Sequence, residues 1–314
     1  MTSPLAIIFT AKGRDSLNEA QRQLIESCAE VEYVTALQTL SEDEIIERCK
    51  KAHYIGLTRR TTKNFHAGLI AALPQLRGVS IYATGTEWID EAALNRHHIA
   101  WRFLPDYSQE SVAEHTLGMM LTLSHRLHLS DRIARGELPR SISLRGWEIR
   151  GKTIGIIGMG RIGQRIAELL QSFRVKLIAF DLVPEKIDSE LAVVAASQAH
   201  LLAASDIVIL CASMNRDSPT IIGREQLALM QKHAVLLNPG RAELVSNQDL
   251  LAALKNKTIA GYAVDDCVFS QEHLAQIEHG RILQTGHTAW YADEAMARGT
   301  ELWIKQLVEL IQND

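Results

Sequence analysis

The sequence predicts an α/β protein built from two parallel-sheet domains, and three observations lead there. Its 314 residues amount to about twice a common domain length. Short apolar runs alternate with segments of helical periodicity in both halves, the pattern of βαβ units. A glycine-rich G-x-G-x-x-G turn opens at Gly158, near the middle of the chain, between a strand-like and a helix-like segment.

In chain order, the strand-like runs of the first half are residues 5–9, 54–57, 79–82 and 99–103, and residues 17–28 have helical spacing. A long segment then opens near Gln109. Val112, Leu117, Met120, Leu121 and Leu127 recur in it at helical spacing, with no proline. It reads as one helix of six or seven turns from Ser111 to Gly136, long enough to bridge two domains. A loop with Gly136, Pro139 and Gly146 follows. From Gly151 a second βα alternation runs to a strand-like stretch at 281–285, and residues 293–310 are helical in pattern.

Composition narrows the function classes. The chain is 46% hydrophobic and 22% charged, so each half can bury a core and disorder is not expected. Lys and Arg number 33 against 37 Asp and Glu, with a net charge of -4, which provides no broad basic field for nucleic acid. No run approaches the roughly 18 apolar residues of a membrane span. The opening MTSPLAIIFT lacks the positive region of a signal peptide. Cys28, Cys49, Cys211 and Cys267 show no ligand spacing, so reduced thiols in a cytoplasmic protein and no metal site are expected.

The glycine loop carries the first chemistry. Gly158 permits the tight turn, Gly160 lets a pyrophosphate approach the backbone, and Gly163 lets helix and strand pack closely. The helix N-terminus that follows faces the phosphates. Asp181 closes the next strand, where a carboxylate accepts from the adenosine ribose hydroxyls and repels a 2′-phosphate, so NAD is favoured over NADP. Arg161 and Ile162 at the helix start, with Cys211 and Ala212, are further expected cofactor contacts. Because the fingerprint starts at mid-chain, a separate substrate domain precedes it.

Six blocks carry a family resemblance: ATGTEWID (83–90), SVAEHTLGMML (111–121), GKTIGIIGMGRIGQ (151–164), NPGRAELV (238–245), AGYAVD (260–265) and TGHTAW (285–290). In this order they resemble the D-isomer-specific 2-hydroxyacid dehydrogenases. The resemblance implies a flavodoxin-like substrate domain, residues 1–103 plus 289–314, and a Rossmann NAD-binding domain, 104–288. The active site is then expected in the cleft, and the protein is expected to form a homodimer. The implied reaction interconverts a small 2-keto acid and a D-2-hydroxy acid with NAD.

Carried over residue by residue, Arg241 matches the arginine that binds the substrate carboxylate, a task suited to a planar guanidinium. His287 matches the general acid/base, with Gly286 where the family has proline. Asp265 matches the aspartate beside the nicotinamide carboxamide. Thr84 and Gly85 match the backbone loop that contacts the carboxylate, and Arg59 and Arg60 read equally well as cleft or as surface arginines. Family members pair the histidine with a glutamate. An ungapped reading from Asp265 puts Ser270 at that position, whereas a two-residue insertion puts Glu272 there. Glu272 is the expected partner, with Ser270 and Asp266 left as alternatives. A different class stays open: the 285–295 stretch also resembles NAD-sensing, corepressor-like members of the same fold.

Overall fold

The computed structural model describes residues 3–214 and 218–314. They form two compact units, Met1–Ser108 with Asp293–Asp314, and Gln109–Ala292.

The first unit alternates strand and helix: β1 (Leu5–Thr10), α1 (Glu19–Glu26), β2 (Glu30–Thr35), α2 (Glu42–Cys49), β3 (Tyr54–Thr58), α3 (Ala67–Ala71), β4 (Gly78–Tyr82), α4 (Glu91–Arg96) and β5 (Ala100–Phe103). The strands pair in parallel in the order β2-β1-β3-β4-β5, the flavodoxin-like arrangement. Central β1 and β3 are apolar up to a closing threonine because helices cover both their faces, whereas edge strand β2, EVEYVT, mixes charge into its alternation. Asn18 and Ser41 close capping boxes with Gln21 and Glu44, which sets where α1 and α2 begin.

The second unit starts with α5 (Gln109–Ser124) and α6 (Leu127–Ala134). The single helix expected over 111–136 is therefore two. Arg126 takes the left-handed conformation at φ 56°, and the Ser124 carbonyl accepts the Trp147 N–H at 2.9 Å in place of a continuing helical amide. Gly146 lies against that carbonyl so closely that a Cβ would overlap it.

Seven strands follow, with their helices: β6 (Thr153–Ile157), α7 (Arg161–Leu170), β7 (Lys176–Phe180), β8 (Val193–Val194), α8 (Gln198–Ala204), β9 (Ile207–Leu210), α9 (Arg224–Leu229), β10 (Val235–Asn238), α10 (Asn247–Lys255), β11 (Gly261–Val264), α11 (Gln271–Ala275) and β12 (Ile282–Gln284). The sheet order is β12-β11-β10-β9-β6-β7-β8, all parallel, which is the doubly wound Rossmann order extended by one strand. One core lies on each face of this sheet.

The last helix, α12 (Asp293–Gln312), belongs to the first unit. Trp303, Ile304, Leu307 and Leu310 are buried there. The Trp303 indole N–H donates to the Ser80 carbonyl at 3.0 Å, and the Ser80 hydroxyl donates back to the Trp303 carbonyl at 3.2 Å, so helix and β4 are joined by polar as well as apolar contact.

Candidate active site

In a parallel sheet all strands end on the same edge, and α/β proteins bind ligands there. The glycine loop follows β6, Asp181 follows β7, and Cys211 and Ala212 follow β9. Arg241, Asp265 and His287 come after β10, β11 and β12. The chain reverses its direction across the sheet between β6 and β9, so the loops behind these two neighbours meet.

Glycine is required where they meet. Gly158 has φ 95°, and a Cβ on it would stand 2.6 Å from the Ala212 amide nitrogen. Gly160 is the N-cap of α7 with no side-chain cap and open space where its Cβ would be. The first amides of α7 and the helix dipole thus form a seat for an anion. Arg161 and Ile162 open this helix, with Ile162 packed against the core behind it. The Asp181 carboxylate accepts the Met159 N–H at 2.7 Å and the Val183 N–H at 2.9 Å, bracing the glycine loop. A carboxylate has about four acceptor positions, so ribose hydroxyls can share it. Gln164, which sequence reading did not single out, donates to the Met159 carbonyl at 3.2 Å. Burial pushes the Cys211 thiol up to about 12, leaving it protonated and a packing group. An open cradle, an uncapped helix start and a ribose-height carboxylate fit a dinucleotide.

Arg241 is placed by a residue that sequence reading passed over. Asn238, 1% exposed at the end of β10, donates through Nδ2 to the Arg241 carbonyl at 2.7 Å and to the Tyr262 hydroxyl at 3.3 Å. Its Oδ1 accepts the Gly240 N–H at 3.2 Å. The side chain thereby fixes the Asn-Pro-Gly-Arg turn from inside. A polar residue ending a buried apolar strand just before Pro-Gly was the available signal.

Asp265, 3% exposed, grips the segment that carries His287. Its Oδ1 accepts the Thr285 hydroxyl at 2.6 Å and the Thr288 N–H at 2.8 Å, and its Oδ2 accepts the Ala289 N–H at 2.7 Å. The Trp290 indole donates to the His287 carbonyl at 3.0 Å. His287 itself sits at φ 58°, a conformation that costs a non-glycine residue about 1 kcal/mol or more and persists only when its surroundings hold it. These bonds hold it on both sides.

The structure does not bring Glu272 and His287 into hydrogen-bond or ion-pair contact. Ser270 caps α11, its hydroxyl accepting the His273 N–H at 3.3 Å, and Glu272 is exposed in that helix's first turn. Gln284 pins the start of this segment to β12: its side-chain amide exchanges two 3.0 Å bonds with the Phe269 backbone. The Asp266 carboxylate is turned to the Cys267 amide at 2.8 Å.

In the first unit, Thr84 and Gly85 follow β4, and the Gly85 carbonyl accepts the Trp88 indole N–H at 3.1 Å. Trp88 is buried in that unit's core, and Arg59 pairs with Glu87 at 2.9 Å. Among the described residues, no cluster of His, Cys, Asp and Glu could hold a metal ion, and no helix is long and apolar enough to cross a membrane.

A doubly wound sheet with a glycine cradle at its reversal point defines a dinucleotide-binding fold. Comparison with known proteins specifies it. A family model described as D-isomer specific 2-hydroxyacid dehydrogenase, NAD binding domain, matches residues 117–289. The glycerate dehydrogenase of Methylorubrum extorquens is 30% identical over 295 residues, covering 90% of this chain and 88% of that one. The glyoxylate reductase of Thermofilum pendens is 31% identical over 264 residues, 81% of this chain and 77% of the relative. The crystal structure of a glyoxylate reductase from Paecilomyes thermophila superposes with a TM-score of 0.85 at 23% identity, covering 99% and 96% of the two chains, a likeness of fold. The chain belongs to the D-isomer specific 2-hydroxyacid dehydrogenases, whose cofactor is NAD.

Proposed function

We propose that this protein interconverts a small 2-keto acid and the corresponding D-2-hydroxy acid, with Arg241 binding the carboxylate and His287 as general acid/base. The observation that carries the reading is where buried polar groups are used. Asn238 and Asp265, both almost fully buried, serve no core purpose of their own; they hold the turns that present Arg241 and His287.

The cofactor would be held by Gly158, Gly160 and Gly163, by Arg161 and Ile162, by Asp181 at the ribose, and by the β9 loop at Cys211 and Ala212. Asp265 stands at the nicotinamide end. When bound, NADH supplies the hydride that reaches the keto carbon. Arg241 then neutralises the carboxylate and polarises the keto oxygen through its forked N–H groups. His287 as imidazolium gives its proton to that oxygen, and as neutral imidazole takes the proton back in oxidation. From the family resemblance, the Thr84 and Gly85 backbone is also proposed for substrate binding. Glu272 is the proposed third member on the family pattern alone, as anionic partner of His287; in this structure it lies exposed in the first turn of α11 without contacting that histidine.

The named relatives act on glycerate and glyoxylate, which places short acids first in the test panel. NADH absorbance is followed with glyoxylate, hydroxypyruvate, pyruvate and longer 2-keto acids. Turnover is expected with at least one of them, and Arg241→Ala should abolish it while NADH affinity persists. Glu272→Gln should slow reduction, and full activity in that variant would remove Glu272 from the mechanism. Tight NADH binding with no turnover on any acid would instead favour an NAD(H)-sensing scaffold.

A further inference from the structure

We propose that His115 is a positioning residue for His287, acting through a directed chain of hydrogen bonds from α5 to Thr285 and Asp265; this rests on the reading of His287 as acid/base. The His115 Nε2 lies 3.2 Å from the Thr285 hydroxyl oxygen and 3.8 Å from Asp265 Oδ1. Counting hydrogens sets the direction. The Thr285 hydroxyl has one proton, committed to Asp265 Oδ1 at 2.6 Å. Its oxygen can then only accept from the imidazole, so His115 holds its hydrogen on Nε2. The chain runs His115 Nε2–H to Thr285 O–H to the Asp265 carboxylate, and each bond polarises the next.

The same face of α5 holds the far end of the loop. Ser111, one helical turn before His115, donates its hydroxyl to the Ala289 carbonyl at 2.5 Å. Thr285 and Ala289 bracket His287, so two side chains of one helix, together with Asp265, fix both ends of the segment holding the left-handed residue. Among the described residues, His115 is the only basic side chain within ion-pair distance of Asp265. Removing it loosens the carboxylate that accepts the Thr288 and Ala289 amides.

The test compares His115→Ala, His115→Gln and Thr285→Val in the full chain. Glutamine can place an N–H where Nε2 stood; valine matches threonine in shape without the hydroxyl. His115→Ala is expected to lower kcat for keto-acid reduction about tenfold, the worth of one such bond, with KM for NADH nearly unchanged. Hydrogen exchange of segment 285–289 should rise about tenfold in parallel. His115→Gln should recover most of both losses. Thr285→Val should reproduce them, and His115→Ala should add little on top of it, since both break one chain. Unchanged kcat and exchange in His115→Ala, or a glutamine variant as impaired as alanine, would overturn the proposal. If the wild type reduces no keto acid, the acid/base reading fails, and the exchange measurements still decide whether His115 holds the loop. Should His115→Ala fold poorly, Thr285→Val carries the same comparison.

Discussion

Replacing Trp303 by alanine should remove a large share of the stability of the first unit. The indole is 2% exposed and packs edge-on to Tyr82, with ring centroids 5.4 Å apart and planes at 83°. Gly56 in β3 makes room for it: a Cβ there would sit 2.8 Å from the ring. A side chain of this kind buries roughly 200 Å², about 5 kcal/mol at 25 cal/mol per Å². The bond to the Ser80 carbonyl adds about 1 kcal/mol, and partial collapse of the cavity offsets some of the total. The expected loss is about 4–5 kcal/mol, against the 5–15 kcal/mol that typically holds a domain together. Trp303→Phe keeps much of the ring and forfeits the N–H, so it should cost about 2 kcal/mol. Urea unfolding followed by circular dichroism reads both variants. A shift below about 1 kcal/mol for Trp303→Ala would refute the reasoning, since α12 would then not be part of that unit's core.

Three further outcomes are expected. Gly158→Ala should abolish measurable NADH binding in a fluorescence titration, because its Cβ meets the Ala212 backbone and the 95° φ is strained for alanine. Arg281→Met should lower stability to urea by about 3 kcal/mol. Its buried guanidinium donates to the Leu254, Ile259 and Ala260 carbonyls, all of which would lose their donor. Asp314 is held below the usual carboxylate range by the Arg77 guanidinium, with help from the Tyr54 hydroxyl. A carboxyl depressed on folding stabilises above its unfolded value and stops doing so as pH falls through its folded value. Asp314→Asn should therefore cost up to about 1 kcal/mol at pH 7, and the difference from wild type should shrink as pH falls below the ordinary carboxylate range.

What was legible in the sequence was local. Buried parallel strands are continuous apolar runs, so β1, β3, β4 and β6 stand out in one dimension, and the glycine loop needs specific residues at fixed offsets. Edge strand β2 escaped because Glu30, Glu32 and Thr35 break its apolar run, EVEYVT, at exposed positions. The break at Arg126 escaped because it depends on Trp147, a partner outside the helix. Asn238, His115 and Gln284 act through partners reached only after folding; no spacing rule links His115 to Thr285 across 170 residues. Asp265 was singled out for the cofactor, whereas its three acceptor bonds are spent on the loop of His287.

The return of α12 to the first unit has a consequence during synthesis. Residues 1–108 emerge first, yet the helix that covers Gly56, Ser80 and Tyr82 is made only after the whole of 109–292. At about 5–20 residues per second, β3 and β4 would wait on the order of ten seconds or more with that face open. The second unit, contiguous in the chain, can complete itself within that interval. The second unit can thus complete its fold while the first still waits for the helix that closes it.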